Sequence, residues 1–269
     1  MIIRSYRHST PAPQPAPAAD PLPTKKLSCL LDTLQRDSEQ WIEQVDCLIS
    51  NERDMQVMIA DYLGHTGHYT MVDTEYRVPL PELQARGVRP GSQAFPWENQ
   101  LSIDVVVELD GRFAAIELKY ATATVDHAFT LFGEAMLDPD SQIVKNQAAS
   151  NLTMYNYWKD VRRIETLADV FPRVDGGVAI LITNNRTYWK APRPDANYAN
   201  FSMHEGNTVG RGPMTWPAGV ADTITKSHPD FQLTDAYTCR WHDTHIAVKA
   251  ANGDPFRYCI STINNPKNQ

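Results

Sequence analysis

Apolar positions recur at helical spacing between Lys26 and Ile49, at Leu27, Leu30, Leu31, Leu34, Trp41, Ile42, Val45, Leu48 and Ile49. That period predicts an amphipathic helix. A second helix is expected from Asn51, with Asn51 as N-cap and Asp54 three residues on, because a short polar side chain can satisfy an N–H that the first turn leaves open. Its stripe is Met55, Met58, Ile59, Tyr62 and Leu63, and Gly64 closes it. Glu52, one turn before Met55, shares the inward side. Residues 69–80 are β-rich and lead into a Pro/Gly-containing loop over 81–98. Residues 101–109 and 112–120 read as two strands joined by Asp110-Gly111, a strong two-residue hairpin signal. A long helix is expected over 141–170, and 177–184 is a short continuous apolar strand of the kind buried on both faces. The remainder reads as irregular β, closing on a hairpin of 245–249 with 256–260 around Asn252-Gly253. The order is helix, three strands, helix, strand and a β-rich extension, an α/β pattern with a mixed sheet.

The central hairpin allows a geometric deduction. With Asp110-Gly111 as the loop, Leu109 faces Arg112, and the same register sets Asp104 opposite Glu117. Alternation of side chains gives one face to Leu101, Ile103, Val105, Val107, Leu109, Ala114, Ile116 and Leu118. The other face receives Ser102, Asp104, Val106, Glu108, Phe113, Ala115, Glu117 and Lys119. Two carboxylates directly opposed across a ladder are destabilising, so something must offset their repulsion. A shared proton would do so, and so would a divalent cation with oxygen ligands. A lysine two residues along can stabilise charge on a phosphate or hold an attacking water. The set suits metal-assisted hydrolysis of a phosphodiester.

Ile103-Asp104, a spacer of twelve residues, then Glu117-Leu118-Lys119 resembles the PD-(D/E)xK nuclease superfamily, with isoleucine in place of the proline that often precedes the aspartate. The resemblance spans about residues 50–185 and implies a restriction-endonuclease-like α-β-β-β-α-β core, a central mixed sheet flanked by helices. It further implies Mg2+- or Mn2+-dependent cleavage of DNA in restriction, defence or repair. Asp104 and Glu117 would then be metal ligands, Lys119 the activating or charge-stabilising residue, and Glu52 the acid contributed by the first core helix. The chain is also similar to uncharacterised bacterial proteins in its Lys145-Asn-Gln147 and Tyr155-to-Glu165 segments, in Ala179-to-Asn185, in Tyr188-Trp-Lys190 and in His204-Glu-Gly206. That similarity places the core and carries no activity with it. Within the superfamily, the alternatives are a non-catalytic binding or scaffold member and a nuclease directed at RNA.

The acid-x-base tripeptide alone says little, since about three are expected by chance in this composition and four occur, at Glu75, Asp110, Glu117 and Asp160. The paired aspartate, the hairpin register and the element order give the third its weight. Lys145, Gln147, Lys159 and Arg162, on the expected helix over 141–170, are candidates for gripping phosphates, against the simpler reading of an amphipathic helix with its cations in water. Cys239, His242 and His245, and the pair His65 and His68, lack a complete zinc spacing.

Net charge is −7 and the pI is near 5.6, which excludes a protein that coats nucleic acid through bulk positive charge. Recognition of DNA would then depend on a local patch, on a homodimer, on a partner protein or on a particular DNA structure. Four cysteines in 269 residues are too few for a disulfide scaffold. No apolar run is long enough for a membrane span, and no leader-like segment follows Met1, so a cytoplasmic location is expected. Six of the nineteen prolines lie in residues 10–24, which sets residues 1–25 apart as a disordered Pro/Ala-rich tail. Residues 26–269 are expected to form a single nuclease-like domain, with 186–269 as a C-terminal elaboration.

Overall fold

The computed structural model describes residues 27–97, 100–125, 129–138, 143–147, 149–265 and 267, with side chains described from residue 30 onward. The proline-rich stretch lies outside the described residues. Helices α1 (Leu27–Gln44) and α2 (Glu52–His65) precede strand β1 (Met71–Val78), the short helix α3 (Leu80–Ala85) and the hairpin β2 (Leu101–Leu109) and β3 (Arg112–Ala121). A small hairpin, β4 (Thr130–Leu131) and β5 (Glu134–Ala135), leads to the long helix α4 (Ser150–Val170) and strand β6 (Val174–Thr183). The rest holds β7 (Thr208–Val209), β8 (Gly212–Met214), α5 (Asp222–Ser227), β9 (Phe231–Leu233), β10 (Tyr237–Thr238), β11 (Trp241–Asp243) and β12 (Arg257–Asn264).

The main sheet has six strands in the order β1-β2-β3-β6-β12-β11. Only β3 and β6 run parallel, joined by the crossover through α4; the other neighbours are antiparallel. The sheet is therefore mixed, with helices on both faces. Val178, Ile180 and Ile182 of β6 pack toward α1 and α2, while Ala179 and Leu181 pack toward α4, so β6 is buried on both faces as its unbroken apolar run requires. Where β6 enters the sheet it needs two glycines. A Cβ on Gly176 (φ +131°) would lie 1.8 Å from the Ile263 carbonyl oxygen, and one on Gly177 would lie 2.1 Å from that of Ala115.

The Asn51 cap forms as expected, its Oδ1 accepting the Asp54 N–H at 2.9 Å. Asp110 and Gly111 both take positive φ (53° and 76°), the two-residue turn whose twist suits a hairpin. Leu109 pairs with Arg112, and the ladder continues to Val105 opposite Ile116 in the deduced register.

Four expectations need correction. The helix expected from residue 141 begins at Ser150, because the preceding segment runs beside the exit of β3: the Gln147 N–H donates to the Thr122 carbonyl (2.8 Å) and the Thr122 hydroxyl to the Lys145 carbonyl (2.9 Å). Within the expected loop, α3 forms with proline in its first turn, where the missing N–H costs nothing, and with Leu83 buried. The closing strand β12 pairs with Trp241–Asp243 rather than with 245–249. The turn at Asn252-Gly253 exists, but Ala250 and Ala251 bond to Val125 and Thr124 instead. Finally, Leu101 and Ile103 do not share a face with Val105 and Val107: the first two pack with α4 and the second two with α1 and α2. The alternation resets at Asp104, where the β3 ladder ends and the β1 ladder skips Glu75, at φ +54°, before resuming with Tyr76 opposite Ile103.

Candidate functional site

Asp104 marks the point where β2 leaves β3. Its Oδ2 accepts the Leu118 N–H at 2.7 Å, so a side chain occupies the ladder position of a strand carbonyl. Its own carbonyl accepts from the Gln56 side chain at 2.7 Å. Gln56, buried on α2, also donates to Glu75, which accepts from Arg53 (3.0 Å) and from the Ser102 hydroxyl (3.0 Å). The irregularity is thus fastened from α2, one helical turn beyond Glu52.

The sequence-expected acids and lysine come together where the β2–β3 ladder ends. Glu52 Oε2 accepts the Tyr120 N–H at 3.2 Å, and its Oε1 lies 3.7 Å from the Lys119 ammonium. Glu117 is 3% exposed and Glu52 45% at the side chain, so the cluster is closed at Glu117 and reaches solvent on the Glu52 side. The Asp104 charge pushes the Glu117 carboxyl up, so a proton or a cation on the pair would relieve their opposition.

Two further residues complete the cluster from α4. Asp160, 1% exposed, lies 2.8 Å from Lys119 in an ion pair off the hydrogen-bonding direction. Arg163, one turn later, bridges Asp160 (3.1 Å) and Glu117 (3.5 Å). The sequence carried a signal for both: Asp160 interrupts the apolar stripe of Tyr157, Val161 and Ile164, and Arg163 lies three residues on, the spacing at which helical side chains meet.

Electrostatics follow from burial and charge count. Burial, then the charges of Asp160 and Asp104, push the Glu117 carboxyl well above its ordinary range against the pull of Arg163 and Lys119. Burial also raises Asp104 and Glu52, in both cases against Lys119. Burial would lower the Lys119 ammonium, but Asp160, Glu52, Glu117 and Asp104 together hold it above the usual lysine value. Burial would raise Asp160, yet Lys119, Arg163 and Lys159 keep it below the usual carboxylate range. Four carboxylates thus face two cations in ion-pair contact, and the surplus negative charge calls for protons or a cation.

The other sequence candidates lie in different settings. Lys159 borders the cluster, its ammonium pushed down by burial against the charge of Asp160. Arg162 is turned into the protein, donating to the Ala94 carbonyl and pairing with Glu165, each at 3.0 Å. Lys145 and Gln147 are exposed beside the exit of β3 rather than on α4. His68 bonds Asp37 at 2.7 Å, and Cys239 packs beside Cys259.

Among the described residues, no three His, Cys, Asp or Glu side chains stand in ready ligating geometry. In the carboxylate cluster the oxygens are turned to internal partners: Leu118 N–H for Asp104, Tyr120 N–H for Glu52 and Arg163 for Glu117. The donor set itself fits a hard divalent cation, being all oxygen and negatively charged in surplus. No family model, no curated protein and no solved structure matches the chain.

Proposed function

We propose that the chain is a metal-dependent nuclease hydrolysing phosphodiester bonds of DNA, with its centre at Asp104, Glu117, Lys119 and Glu52. The observation that carries this reading is the gathering of Asp104, Glu117 and Glu52 around the Lys119 ammonium where β2 leaves β3, with Asp104 Oδ2 on the Leu118 N–H next to Glu117. Asp104 and Glu117 would hold Mg2+ or Mn2+, with Glu52 reaching the same volume from the solvent side. Such a cation, when bound, supplies charge neutralisation and a water of lowered pKa. Lys119 keeps its proton under the charge of four acids; it therefore acts as a hydrogen-bond donor that orients a water or a phosphate oxygen, not as a base. Asp160 fixes the ammonium, and Arg163 offsets negative charge on the buried side of the pair.

A second reading is favoured by one observation. Lys119 and Arg163 satisfy Asp160 and Glu117 internally, as they would in a non-catalytic member that uses the cluster only as a scaffold. Incubation of supercoiled plasmid, linear duplex, single-stranded DNA and RNA with Mg2+, Mn2+ or EDTA separates the two. The nuclease reading expects metal-dependent cutting that Asp104→Ala and Lys119→Ala abolish without loss of the folded transition. An unchanged rate in Lys119→Ala removes that residue from the mechanism, and no cutting of any substrate by the folded protein leaves the scaffold reading.

A further inference from the structure

Beside the carboxylate cluster, on the α4 face of the same strands, lies an open pocket of about 510 Å3. Its floor includes Val106 and Ala115, a directly paired position of β2 and β3. Ala115 lies two residues before Glu117 on the same face of β3, about 7 Å along the strand. Its walls are Tyr76, Phe113, Leu167 and Phe171, with few polar groups among them. The volume falls in the range of ligand pockets, about 300–1,000 Å3.

The rim is cationic. Arg77 and Arg173 both border the pocket and are exposed, and among the described residues neither guanidinium has an ion-pair or hydrogen-bond partner. Other arginines around the same sheet are engaged: Arg53 with Glu75, Arg86 with Glu82, Arg112 with Asp175 and Arg163 with Asp160. Glu82, the acid on the rim, is taken up by Arg86 at 2.6 Å. The pocket therefore offers an apolar, aromatic interior with two free positive charges at its mouth, complementary to a planar ring that carries an anion. Tyr76 borders the pocket and is 38% exposed.

We propose that this pocket receives an unpaired base of the nucleic-acid strand, with Arg77 and Arg173 on the flanking phosphates, so that the preferred substrate is single-stranded or locally unpaired. The proposal rests on the nuclease reading for the strand that it binds: the pocket lies at the Phe113–Ala115 end of β3, on the closed side of the cluster. A duplex keeps its bases stacked and cannot fill the pocket without extrusion, which costs unpairing. A single strand fills it directly, with base–aromatic stacking and phosphate contacts adding.

The test is fluorescence anisotropy of labelled oligothymidylate, the same oligomer with one abasic position, and a duplex of equal length, with the full chain in EDTA so that binding is read without cleavage. The wild type is expected to bind the single strand more tightly than the duplex. Arg77→Ala/Arg173→Ala should weaken single-strand binding by at least about tenfold and reduce the salt slope by about one for each arginine. Tyr76→Ala should weaken it by a similar factor, and the loss should shrink on the abasic oligomer. Equal binding of single strand and duplex by the wild type, or variants that bind as the wild type does, overturns the pocket. The two readings fail separately. Metal-dependent cutting with no effect of the pocket variants on binding sinks this proposal alone, whereas pocket-dependent binding without cutting in any metal sinks the nuclease reading alone.

Discussion

Asp104 occupies the place where β2 stops pairing with β3, and its carboxylate there does what a backbone carbonyl does elsewhere in the sheet. That substitution explains why an acid can stand near Glu117 at all: one of its oxygens is spent on the Leu118 N–H, and burial with neighbouring negative charge pushes the Glu117 carboxyl toward its protonated form. Glu117 itself is the costly residue. A buried acid whose folded-state pKa is raised binds its proton more tightly in the native chain than in the unfolded one, so stability falls as pH rises above the ordinary carboxylate range. Glu117→Gln should therefore stabilise the metal-free protein by about 1–3 kcal/mol at neutral pH, with the gain fading as pH drops toward that range, as urea denaturation at several pH values would measure. A loss of stability at every pH would show that Glu117 contributes to the fold through Arg163 and carries no surplus charge. At this scale Asp104, Glu117 and Lys119 were legible in the sequence because hairpin geometry relates residues of opposite strands by simple counting. Asp160 and Arg163 left only a local signal, an acid breaking the apolar stripe and an arginine three residues on; that they meet Lys119 and Glu117 was not legible, because which face of a helix meets a strand depends on a crossover that periodicity leaves free.

At the scale of elements, the hairpin, the capped α2 and the twice-buried β6 were readable from turn chemistry and apolar period. The start of α4 was misread because residues 143–147 carry helix-compatible side chains, yet their backbone groups are taken by Thr122 and Val125. The reset of alternation at Asp104 was equally invisible, since it arises from an irregularity shared by two neighbouring strands and fastened by Gln56. The fit of β6 between β3 and β12 makes a sharp prediction. Gly177→Ala would drive a methyl group into the Ala115 carbonyl, 2.1 Å away, and should cost about 2–4 kcal/mol, the range of overpacked buried sites. Chemical denaturation measures it; a cost below about 0.5 kcal/mol, the range of neutral surface changes, would mean that β6 can move away from β3 at this point.

Across the whole molecule, two clusters of apolar side chains sandwich one mixed sheet, and the carboxylate cluster lies where the sheet splits between them. Among the described residues, no helix is long and apolar enough to cross a membrane. The C-terminal third was the least legible part, because β7 to β11 are two or three residues each and β7 pairs with β10, β8 with β9. Strands so short carry too few positions to show a period, and their order is set by what they cover on α4. A net charge of −7 leaves local groups to attract a polyanion, and a bound divalent cation would reverse the sign of the potential where it matters. The most direct measurement is calorimetric titration of Mn2+ into the wild type and into Glu117→Gln, in two buffers of different ionisation enthalpy so that released protons are counted. The account predicts saturable binding with proton release at neutral pH, lost in Glu117→Gln. Absence of binding in the wild type, or equal binding in both proteins, would contradict it.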